Sequence, residues 1–185
     1  MLNDNKLKSL IVDLSASHDN SSINFELFIQ DKLNLVLSKK NNIGEDFWVV
    51  YGDLNGLGDR WVVITNSNYE CCMGGIFVKS IINDKITYQS KAIVKLTSYP
   101  EKAASKLYIK LVTLWDCYIL SNSIMTGDGM NVWIELLNRT FSANDGIVPF
   151  VYNTATKKEI KKYNINEIFS DNIDSENILV GLRKL

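Results

Sequence analysis

The chain has 185 residues, 46% hydrophobic and 22% charged, with a formal net charge of -1. That is enough apolar material for one core of ordinary size, and the absence of a basic excess gives bulk electrostatics no reason to draw in nucleic acid. No run approaches the roughly 18 uninterrupted apolar residues of a membrane-spanning helix, and the start, MLNDNKLKSLIVDLS, lacks the flanks of a signal peptide. The expectation is a soluble, cytoplasmic chain without a membrane partner, folded as a single domain over residues 1–185.

In chain order, Leu10–Leu14 is a short apolar patch, and Asp19–Ser22 offers N-caps for a helix over roughly residues 22–32. FWVVYGD and RWVVITNSN are β-branched and aromatic runs joined by DLNGLGD, which predicts a hairpin. That loop places Asp53, Asn55, Gly56 and Asp59 as a calcium loop would. It lacks the closing Glu and the flanking helices, so a turn is the better reading. YECCMGGIFVKSIIND and KITYQSKAIVKLTS pair around Asn83-Asp84 as a second antiparallel hairpin.

From Lys91 to Arg139 the pattern changes. An apolar run, a Pro-punctuated turn, the amphipathic EKAASKLYIKLVTLW, the apolar CYIL, a Gly-containing turn and the amphipathic NVWIELLNR follow one another. Strand, helix, strand, helix is the order of a βαβ-type unit, in which each helix lays its apolar stripe on a sheet. A strand over Gly146–Tyr152, a charged hairpin partner and a last apolar run, Ile178–Leu182, as an edge strand complete the expected fold. The class is α/β (α+β), with a mixed, largely antiparallel sheet flanked by helices.

Cys71, Cys72 and Cys117 cannot all pair with one another, and with His18 as the one histidine and no CxxC spacing they read as buried thiols. No metal is expected. Lys157, Lys158, Lys161 and Lys162 in KKEIKK read as a solvated face, with nucleic acid a weaker alternative.

Two stretches resemble the GNAT family of N-acetyltransferases. SYPEKAASKLYIKL falls where that family carries its pyrophosphate loop, Gln/Arg-x-x-Gly-x-Gly/Ala, at the start of a helix. CYILSNSIMTGDGMNVWIELL is similar to a stretch of GNAT-like proteins of phages and prophages: a strand, then Ser121 and Asn122, then Thr126, Gly129, and Trp133 inside the next helix. The likeness runs from Cys72 to Tyr152. It implies a GNAT-like fold, with Tyr99, Lys102, Ala103, Ala104 and Ser105 as cofactor-binding positions and Ser121, Asn122, Thr126 and Gly129 lining a cleft.

In such a loop, glycines let backbone amides reach a diphosphate at a helix N-terminus. Here Lys102 stands at the first glycine position. Its Cβ and long side chain fill the phosphate's path, and a left-handed backbone there is costly. The catalytic roles the resemblance implies, a base and an acid for the leaving thiolate, fall on Glu70 or Asp116 and on Tyr152. Two functions follow as expectations. One is a phage or prophage-type protein without a cofactor that binds a host or viral macromolecule in the host cytoplasm. The alternative is an active N-acyltransferase using acetyl-CoA or another activated donor.

Overall fold

In the computed structural model the described residues are 41–44, 47–54, 56–65, 71–95, 102–122, 125, 127–139, 146–169 and 177–185. The helix expected over residues 22–32 lies outside them. The architecture is α+β, a mixed and mostly antiparallel sheet with helices. The chain divides into two compact units, Met1–Val78 with Lys91–Ala103, and Lys79–Ser90 with Ala104–Leu185.

The first unit is a meander. β1 (Asn41–Gly44), β2 (Phe47–Asp53), β3 (Arg60–Thr65) and β4 (Cys71–Ile82) lie side by side in sequence order, each antiparallel to the next. Successive residues Met73 to Phe77 are all buried, so β4 is covered on both faces and reads as one apolar run rather than an alternation. Trp61 sits opposite Gly52 in the β2–β3 ladder. A Cβ at Gly52 would come within 2.5 Å of the indole, so the missing side chain gives the ring its bed. The loop between β2 and β3 is closed by its own chain: Leu54 N–H donates to the Asp59 carbonyl at 2.8 Å, and Gly56 N–H donates to the Asp53 carboxylate.

The second unit starts with the tip of the next hairpin. Asn83 and Asp84 carry φ values of 49° and 60°, the pair of left-handed residues a two-residue type I′ turn requires. They turn β4 into β5 (Lys85–Lys95). Helix α1 (Ala103–Trp115) then carries the chain to the short β6 (Tyr118–Leu120), which pairs parallel with β5 over Thr87–Gln89. In α1, Ala103, Ala104, Leu107, Tyr108, Leu111 and Val112 are buried, a 3.6-residue stripe that fixes which side meets the sheet. Next come α2 (Gly127–Asn138), β7 (Ile147–Asn153), β8 (Lys158–Ile160), the single turn α3 (Ile165–Ile168) and β9 (Ile178–Lys184).

Within this unit the strand order is β5-β6-β9-β7-β8. The sequence suggests an edge position for the last run, yet β9 lies inside, antiparallel to β6 on one side and β7 on the other. The reason is visible in the run itself. Leu179, Val180, Gly181 and Leu182 are buried one after another, and a strand with no polar alternation needs cover on both faces and neighbours on both edges. Gly181 makes the fit possible, because a Cβ there would lie 2.7 Å from the Ile119 carbonyl oxygen and 2.8 Å from the Phe150 ring.

Candidate functional site

The sequence-selected residues fall at four places. The first is the head of α1. Lys102, the turn residue before the helix, is exposed and has φ 55°, the left-handed backbone a glycine would favour. Ala103, Ala104 and Ser105 form the first turn, and all three are buried, Ser105 to 2% exposure. The Ser105 hydroxyl donates over a long 3.4 Å to Oε2 of Glu135, brought in from α2. A carboxylate therefore stands at the helix end where the macrodipole favours an anion. Tyr99 lies outside the described residues.

The second place is the carboxyl end of β6. Ser121 is fully buried, its N–H donates to the Val180 carbonyl at 2.8 Å, and its Oγ accepts the Val180 N–H at 3.1 Å. In an antiparallel pair the second bond would go to a backbone carbonyl. Here the hydroxyl supplies that acceptor, so the chain leaves the sheet at Ser121 without stranding a buried donor. Asn122 follows, half-exposed, and Gly129 lies in the first turn of α2 because that helix begins at Gly127. Thr126 lies outside the described residues.

The third place is the tail end of α1. Asp116 follows the last helical residue with φ 48°, the left-handed position that closes many helices. Its side chain is 79% exposed and meets Lys184 Nζ at 3.3 Å. The 13 residues of α1 separate its two ends by about 20 Å, so Asp116 is not brought to the first turn of the helix. Glu70 lies outside the described residues.

The fourth place is Tyr152, buried with Leu120, Phe150 and Leu179. Register puts Leu120 opposite Gln89, whereas its neighbour Ile119 is opposite Tyr88, which packs on Trp115 of α1 with ring centroids 4.8 Å apart. Side chains alternate across a strand. Tyr152 therefore lies on the sheet face away from α1.

One arrangement escaped the sequence reading. The Tyr108 hydroxyl, on the buried stripe of α1, donates to Ser90 Oγ of β5 at 3.2 Å, and its ring packs on Trp133 of α2 with centroids 4.6 Å apart. Burial pushes the Tyr108 phenol up to about 12, against the lowering effect of its hydrogen bonds to Ser90 and Trp133. The available signal was a tyrosine in a core register of leucines, since a buried phenol needs a partner. The group ties α1, α2 and β5 together and keeps its proton at neutral pH.

Neither a protein-family model nor a curated protein matches this chain.

Proposed function

We propose that this chain is a GNAT-fold protein of the phage or prophage type that works by binding a host or viral macromolecule, without orthodox acetyl-CoA catalysis. Its support begins with the succession β5–α1–β6–α2–β7, which has the strand, loop, helix, strand, helix, strand order of that family, and with the motif residues from Ser121 to Trp133. The observation that carries the binding half is the Glu135 carboxylate against Ser105 in a buried first turn of α1. A diphosphate seated on those amides would meet a like charge at close range in a partly desolvated place, which is repulsive.

One observation favours the second reading, an active N-acyltransferase. Lys102 keeps the left-handed backbone of the glycine it replaces, so the loop's course suits the cofactor even though its side chain does not. Titration calorimetry with acetyl-CoA and with CoA separates the two. The binding reading expects no heat and no shift in melting temperature at millimolar ligand. Micromolar affinity with a thermal shift would overturn it and install acetyl-CoA as donor.

A further inference from the structure

The β7–β8 hairpin concentrates positive charge. Residues 154–157 turn β7 into β8, and Lys157, Lys158, Lys161 and Lys162 are all exposed. The one acid among them is already engaged: both Glu159 oxygens accept from Arg183, at 2.5 Å from Nη1 and 3.2 Å from Nη2. No ion pair reaches any of the four lysines among the described residues. Within the hairpin itself the one negative charge, on Glu159, is thus paired with Arg183 rather than with a lysine.

The display is also fixed in place. Asn153 Oδ1 accepts the Thr156 N–H at 2.8 Å, and Thr154 N–H donates to the Asn177 carbonyl at 2.8 Å, so the turn is held both to the strand it leaves and to Asn177. Lys157 itself sits at φ 55°, where glycine or asparagine would be the less strained choice, and strain of this kind is a pointer to function. Beside the lysines, Tyr163 is 36% exposed. It follows Lys162 directly in the chain.

We infer that the β7–β8 hairpin is a contact surface for single-stranded nucleic acid, with Lys157, Lys158, Lys161 and Lys162 on backbone phosphates and Tyr163 offering its ring to a base. A strand supplies closely repeated phosphates together with unpaired bases, and so matches both halves of the surface. An acidic peptide supplies only the charge. This inference rests on the binding reading for the kind of partner and names its chemistry. The CoA titration tests the binding reading alone, and hairpin variants leave α1 untouched, so the two can fail separately.

The test is fluorescence anisotropy of labelled single-stranded DNA and RNA oligonucleotides with the full chain, between 50 and 200 mM NaCl. Four phosphate contacts predict an affinity loss of about 50-fold across that range. Replacing all four lysines by alanine should abolish that dependence with circular dichroism unchanged. Tyr163→Ala should cost about tenfold, the scale of one stacked base. Lys157→Gly should weaken binding as Lys157→Ala does while raising the melting temperature by about 1–2 °C, which separates contact from folding. No binding at 50 mM salt, equal binding by the fourfold variant, equal affinity for duplex, or equal competition by poly-glutamate would each overturn the inference.

Discussion

The two units solve the same packing problem with different materials. In the first, β1 to β4 are neighbours in both sequence and sheet, and the buried side chains among its described residues are apolar: Val49, Trp61, Val62, Ile64, Met73, Ile76, Phe77 and Ala103. In the second, β9 reaches back between β6 and β7, and the buried hydroxyls Thr87, Ser90, Ser105 and Ser121 all belong to it. A meander satisfies its backbone by local pairing. A unit whose strands interleave from distant parts of the chain has strand ends and helix seats inside it, and short polar side chains close the hydrogen bonds left there.

The sharpest way to break that comparison is at the two glycines on which other groups lie. At Gly181 an added Cβ meets a backbone carbonyl 2.7 Å away, within a ladder paired on both edges. At Gly52 it meets the Trp61 indole at 2.5 Å, a side chain able to tilt away. Overpacking costs about 1–3 kcal/mol. Gly181→Ala should fall near about 3 kcal/mol and Gly52→Ala near about 1 kcal/mol, read as shifts in urea midpoint. The reverse order would mean that the interleaved unit is the more forgiving of the two.

The same contrast explains what the sequence revealed. The β2–β3 and β4–β5 hairpins were legible because their signals are local: two β-rich runs and a turn such as Asn83-Asp84. The β5–α1–β6 crossover was legible from the stripe Leu107, Tyr108, Leu111, Val112. The place of β9 was not, because the strand register that sets Gly181 against Leu120 and Phe150 joins residues about 30 to 60 apart in the chain. Of the candidate site, Ser121 was singled out as a cleft position by resemblance, but its bond to Val180 depends on that same insertion. Tyr108 was passed over because its spacing is that of a core leucine, and its partner Ser90 lies in a different element.

Tyr108 makes the buried-hydroxyl half of the comparison measurable by pH. Unfolded, its phenol titrates near 10; folded, near about 12, raised by burial. Below pH 10 both states hold the proton and its contribution is complete. Between 10 and 12 only the unfolded chain loses the proton, so stability falls as pH rises, by on the order of 1 kcal/mol at pH 11. Tyr108→Phe should flatten that part of an alkaline unfolding profile while costing about 1 kcal/mol at neutral pH for the bond to Ser90. An unchanged alkaline slope in the variant would locate the titrating group elsewhere.

The smallest expected effect concerns Lys102, the residue just before α1. Left-handed backbone costs a residue with a Cβ about 1–2 kcal/mol, and glycine's extra freedom when unfolded returns about 0.5–1 kcal/mol of that. Lys102→Gly should therefore exceed Lys102→Ala in stability by about 0.5–1 kcal/mol. Both variants lose the same lysine side chain, so their difference isolates the backbone from whatever the ammonium touches. If the alanine variant is as stable as the glycine one, the turn has another course and the likeness to a phosphate loop loses its geometric support. If the glycine variant wins and still gives no heat with acetyl-CoA, the obstacle is not the lysine. It is then the carboxylate of Glu135 against Ser105, and Glu135→Gln added to Lys102→Gly is the change that should first admit a diphosphate.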